Sequence, residues 1–310
     1  MNRVILDWPL IAAVATMIAW GMNFAFMKYL LDQLGVGPFM FLRFLVLPLL
    51  GLALLIVTFR HRIAHTWPRR ADLPRFLLCA LIGHVLHISA VAYGMNLSTA
   101  FSSSLVLTCQ PLFTLAILAW LGVERLRKQQ LLGTMIAFAG IVIFLSDKFA
   151  GGLSRAGLGD LTLLVAGASF SAYTVLSRSL VDRYGPLIVL SYTLLFSMPI
   201  MLAFTSPFLG ELKPASFGPA VWAGLFWALV VCSFVGWLLW TWVNSKRGIA
   251  RSAPFMYLMP PVAGVMAWLT LGETFTWLKI AGAAITMAGV AYAQFGGRPP
   301  PREAAQPDAG

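Results

Sequence analysis

The chain has 310 residues, 59% of them hydrophobic and 11% charged, with a mean hydropathy of +0.83; soluble domains carry roughly 25% charged residues, so water is excluded as its main solvent. The net charge of +11 raises nucleic acid as a partner, but the basic residues sit in short clusters between apolar runs and not along one face. That excludes a nucleic-acid groove and fits the surface of a lipid bilayer.

A helix needs roughly 20 apolar residues to cross about 30 Å of hydrocarbon. Ten such segments are predicted, at 9–30, 39–59, 74–94, 100–121, 130–146, 159–180, 186–205, 217–243, 249–271 and 277–295. The first is too long for a cleaved secretory signal and reads as a retained helix. It carries Trp20 and Asn23 in its middle and outer part. The second holds Arg43 about one and a half turns inside its start, where the side chain either snorkels to water or serves gating or an anionic substrate group. The third holds His84 and, at i+3 on the same face, His87. The fourth gathers Ser102, Ser103, Ser104, Thr108 and Gln110 around Pro111, a polar stretch that either lines a pathway or bonds to a neighbouring helix. In the sixth, Ser169 and Tyr173 share a face; in the eighth, Trp237, Trp240 and Asn244 do, with Trp237 the site candidate; in the ninth, Tyr257 precedes Pro260-Pro261. Trp222 and Trp242 read as belt residues at the bilayer interface. Cys79, Cys109 and Cys232 each lie within an apolar run and read as packers, without a disulfide or metal spacing. The tail at 297–310, with Pro299, Pro300, Pro301 and Pro307, is expected to be disordered and cytoplasmic.

Cytoplasmic loops retain Lys and Arg, and with the N-terminus inside, sixteen of the 22 fall on the inner side and five on the outer. This places both termini in the cytoplasm. The links between the third and fourth segments, and between the ninth and tenth, are short enough to force antiparallel neighbours.

The two halves repeat each other. Leu121-Gly122-Val123-Glu124 closes the fourth segment and Leu271-Gly272-Glu273 the ninth; Pro111 and Pro260, Glu124 and Glu273, Gly133 and Gly282, and Gly140 and Gly289 all lie 149 residues apart. Five spans per half is an odd number, so the halves enter the membrane from opposite sides, as two inverted repeats covering 1–148 and 149–296. The fold class expected is therefore all-α integral membrane, ten transmembrane helices in two inverted five-helix units. Two bundles related in this way can rock about a midplane site, and the paired prolines free carbonyls that are tolerated only beside protein or a wet cavity; a packing kink is the competing role. Glu124 is expected to face the cytoplasm and Glu273 the outside, and the paired glycines to let helices pack closely.

Trp20-Gly21-Met22-Asn23-Phe24, Arg43, Tyr93 through Ser104 into Gln110-Pro111, and the Leu-Gly-Glu closures resemble the EamA-type family of the drug/metabolite transporter superfamily over about residues 8–295. The second half, with Ser169, Tyr173, Pro260-Pro261, Gly282 and Gly289, is the looser match. The resemblance implies a small-molecule permease, often an exporter of amino acids or other metabolites, without ATP-binding parts.

The pathway candidates are thus Trp20, Asn23, Arg43, His84, His87, Ser103, Ser104, Thr108, Gln110, Pro111, Ser169, Tyr173, Trp237, Tyr257 and Pro260. No carboxylate falls deep in a predicted span, so proton coupling would need His84 and His87. No Walker loop, nucleophile elbow or carboxylate pair is present, and no cofactor or metal is expected. The expected role is efflux of small organic metabolites by alternating access, from a bacterial inner membrane, by a monomer or homodimer with a small-molecule substrate and no nucleic acid. The rival is a membrane-embedded enzyme or assembly factor using His84 and His87, which needs a third buried polar group.

Overall fold

A backbone in hydrocarbon must satisfy its own polar groups, and a long apolar run does so by coiling into a helix. The computed structural model describes residues 7–121, 128–149 and 155–295, and among them every regular element is helical. In chain order these are α1 (Trp8–Leu34), α2 (Val36–Phe59), α3 (Leu73–Leu97), α4 (Ala100–Trp120) and α5 (Lys128–Phe149). They continue as α6 (Arg155–Tyr184), α7 (Pro186–Thr205), α8 (Pro219–Arg247), α9 (Met259–Leu271) and α10 (Trp277–Phe295). Seven of them, α1 to α4 and α6 to α8, are long and apolar enough to cross a membrane. The apolar stretches around α5, α9 and α10 are shorter, at Leu131–Phe144, Phe255–Leu271 and Trp277–Gly289. Glu124 and the tail at 297–310 lie outside the described residues.

Local irregularities recur in both halves. The chain turns from α1 into α2 at Gly35, with φ +77°, and from α6 into α7 at Gly185, with φ +83°. Only glycine takes that conformation without strain, so each connection stays one residue long. A π-helical stretch interrupts α3 at Ala80–Leu86 and α8 at Phe226–Val235. Helix α4 breaks at Thr108–Cys109 immediately before Gln110-Pro111, and a 3-10 turn, Ala253–Leu258, leads into Pro260-Pro261 of α9. Proline lacks the N–H that would continue the preceding turn, so both helices restart there.

Packing pairs one half with the other. Trp20 of α1 meets Cys232 of α8, Phe26 meets Trp227, and Leu30 lies against Gly224, so α1 and α8 run antiparallel. Arg75 of α3 meets Ser179 of α6, His87 meets Ala166, and Ser98 meets Asp160, which makes that pair antiparallel too. Lys28 of α1 reaches the carbonyls of Met95 and Asn96 at the end of α3, so α1 and α3 are parallel. It follows that α1 and α6 run in opposite directions. Between α5 and α10 the backbones touch: a Cβ on Gly140 would strike Thr286, and one on Gly289 would strike Ala137. The expectation of close packing at Gly140, Gly282 and Gly289 is met by this contact. The larger core joins α1 to α4 and α6 to α9; a smaller one joins α4, α5 and α10 through Leu105, Leu112, Ile141, Phe144 and Ala283.

Candidate substrate pathway

A cavity of about 110 Å³ lies beside the C-terminal halves of α1 and α3, with Cys232, Ser233 and Trp237 of α8 in its wall. Its walls carry Trp20, Asn23, Arg43, His87, Gln110 and Trp237 from the sequence candidates. The π-helical stretch of α8 builds one wall. There Gly236 N–H donates five residues back to Val231 O, which leaves the Cys232 carbonyl free to accept from Trp20 Nε1 at 2.8 Å. Ser233 Oγ donates to the Ala228 carbonyl and accepts from Arg43 Nη1. Arg43 is 5% exposed, so its guanidinium is held within the bundle and does not snorkel to water. Among the described residues no carboxylate reaches it.

The two histidines part company. His87 Nδ1 lies 2.8 Å from the Ala166 carbonyl; a carbonyl only accepts, so Nδ1 carries the hydrogen and Nε2 is left as an acceptor. His84 Nε2 lies 3.0 Å from Thr193 Oγ1, whose own hydroxyl donates to Val189 O, so His84 is the donor in that contact. The His84 ring packs at 4.8 Å on Trp237 and edge-on at 5.5 Å to Tyr173. It stands behind the aromatic wall, in neither this cavity nor the next.

A second cavity, about 90 Å³, lies beside the C-terminal halves of α6 and α8, toward the opposite end of the bundle. Tyr173, Ser177, Asp182, Trp240 and Asn244 face it. Phe170 and Trp237, with ring centroids 5.5 Å apart, stand in the walls of both cavities and form the partition between them. The linings correspond in sequence. Trp20, Asn23, Phe24 and Met27 in the first cavity lie 150 residues before Phe170, Tyr173, Thr174 and Ser177 in the second, and Ile88, Val91 and Met95 lie 149 before Trp237, Trp240 and Asn244.

The remaining candidates support helices. Ser103, Ser104 and Thr108 have no exposed surface and return their hydroxyls to the carbonyls of Thr99, Phe101 and Ser104. Ser169 does the same toward Val165, while Pro111 and Pro260 sit buried at helix restarts and Tyr257 packs in the smaller core. Two carboxylates have structural duties. Asp160, fully buried near the start of α6, accepts from Ser98 Oγ and, at 2.9 Å, from Ser102 Oγ. It lies at the edge of its predicted span, which is why depth alone passed it over. Glu273 accepts from the N–H groups of Ala100 and Phe101 at 2.7 and 3.3 Å, capping α4 from the other half of the chain. Phe170, Cys232 and Ser233 line the first cavity and are absent from the sequence candidates; the repeat register, in which Phe170 corresponds to Trp20, is the signal that points to the first.

Seven helices long and apolar enough to cross a membrane, packed around internal cavities, define a multi-pass membrane protein. The EamA-like transporter family model matches residues 7–146 and again 157–293, and the chain belongs to that family. It is 28% identical over 283 residues to a probable terminal-alkyne amino-acid exporter of Streptantibioticus cattleyicolor, covering 90% of this chain and 91% of the relative. It is 27% identical over 302 residues to a probable amino-acid metabolite efflux pump of Salmonella typhimurium, covering 92% and 94%. A solved crystal structure superposes with a TM-score of 0.62 at 18% identity, over 92% of this chain and 95% of that one, which shows a shared fold.

Proposed function

We propose that the protein exports amino acids or related small organic metabolites across a bacterial inner membrane by alternating access. On this reading ten helices cross the bilayer as two inverted five-helix repeats, 1–148 and 149–296, with both termini cytoplasmic. The opposite directions of α1 and α6, the twin glycine turns, the twin π-helical stretches and the double family match support that arrangement. The observation that carries the mechanism is the correspondence of the two cavities. Each is the repeat-related image of the other, they lie toward opposite ends, and one pair of aromatic rings divides them. In an inverted repeat, exchanging the conformations of the halves exchanges which cavity is open, so one pathway is presented to each side in turn. The first cavity then faces outward and the second inward. The names of the two relatives support amino acids as the cargo class. The test is counterflow: protein reconstituted in liposomes preloaded with unlabelled amino acids accumulates the labelled compound transiently above its equilibrium level. Absence of counterflow across a broad panel of amino acids and their derivatives contradicts the reading.

A further inference from the structure

We propose that Arg43 is the carboxylate anchor of the first cavity, and that the substrate joins a single carboxylate to a compact apolar body. The inference rests on the transport reading and narrows it. A guanidinium within a bilayer is costly unless charge and hydrogen bonds compensate it. It carries five N–H donors, and among the described residues the one acceptor of Arg43 is Ser233 Oγ, reached by Nη1. Ser233 gives its own proton to Ala228 O, so its oxygen presents only lone pairs and holds one edge of the guanidinium, leaving the rest of the planar fork for a ligand.

The duplication shows what is special about this charge. Arg43 lies 150 residues before Thr193, and His84 lies 149 before Ser233, so the Arg43–Ser233 contact recurs in the other half as Thr193–His84. That second version joins the corresponding pair of helices, α7 and α3 in place of α2 and α8, with neutral groups: the Thr193 hydroxyl donates to Val189 O and accepts from His84. A polar tie at this place therefore requires no ion, and the charge of Arg43 answers to something else. Arg43 is the only Lys or Arg among the described residues of the cavity wall, which suits one carboxylate and leaves a second acid or a phosphate ester without a partner. Trp20, Phe24, Met27, Ile88 and Phe170 supply an apolar surround for the rest of the molecule. Asn23, whose buried Oδ1 has no partner among the described residues, and His87, whose Nε2 is left as an acceptor, stand in the same wall and are assigned to N–H groups of the same substrate.

The experiment compares acids with amides. Reconstituted protein is assayed for counterflow of L-leucine, L-phenylalanine and L-methionine, with leucinamide, phenylalaninamide and methioninamide as competitors. At least one acid exchanges, and its amide competes about tenfold or more weakly, the scale of a lost charge-assisted hydrogen bond. Arg43→Gln lowers exchange of the acid about tenfold or more and erases the preference over the amide, while Arg43→Lys, which keeps the charge without the fork, retains the preference at an intermediate rate. Acid and amide competing equally in the unaltered protein, or Arg43→Gln exchanging the acid normally, overturns the anchor and leaves the carrier reading intact. No exchange of any of these compounds overturns both the export of such amino acids and the anchor defined by them. The comparison in the unaltered protein decides the question even where a variant fails to fold.

Discussion

Asp72, at the turn into α3, receives Arg183 Nη1 on both carboxylate oxygens, at 2.8 and 2.6 Å, and the Tyr184 hydroxyl on one of them. The Tyr184 hydrogen bond, followed by Arg183, holds the Asp72 carboxyl below its usual range against the opposing cost of burial. A carboxyl with a depressed folded value contributes stability that is complete above its unfolded value, near 4, and is lost as pH falls through the folded value. Asp72→Asn is therefore expected to lower Tm in detergent by a few degrees at pH 7, and the difference between the proteins is expected to shrink below about pH 4; a difference constant from pH 7 to pH 3 contradicts the assignment. Much at this scale was legible, because a polar group in an apolar run costs energy and must be used. Trp20, Asn23, Arg43, His87 and Gln110 were found in that way. What escaped were Cys232 and Ser233, since a free carbonyl and a shifted hydroxyl come from the pitch of the backbone, which side-chain pattern does not record. Phe170 escaped because an aromatic residue in an apolar helix carries no such cost.

Helices α5 and α10 are joined by absence of side chains. Gly289 lies so close to Ala137 that a Cβ has no room, and the obstacle is backbone, which cannot swing aside. Gly289→Ala is expected to destabilise the protein by roughly 1–3 kcal/mol, read as a clear fall in Tm. Gly210→Ala, where nothing lies within 4 Å, is expected to leave Tm unchanged. Equal behaviour of the two variants contradicts the packing. These contacts were anticipated from glycines repeated at a 149-residue interval, and the helix restarts from prolines in the same register. The π-helical stretches were not, because Ala80–Leu86 and Phe226–Val235 are as apolar and helix-compatible as their surroundings. Their hydrogen-bond slip is decided by tertiary contacts such as Trp20 with Cys232.

Alternating access requires the two cavities to open to opposite sides of the membrane in turn. Met27 and Ser177 occupy corresponding places, one in each lining, and the native Cys79, Cys109 and Cys232 are all buried. The direct measurement replaces those three by alanine and introduces Met27→Cys or Ser177→Cys, then applies a membrane-impermeant thiol reagent to right-side-out and inside-out vesicles. Met27→Cys is expected to react only from the outside and Ser177→Cys only from the cytoplasmic side, and blocking one position in the double variant is expected to suppress reaction at the other. Reaction of both from the same side, or full reactivity of each while its counterpart is blocked, contradicts alternating access.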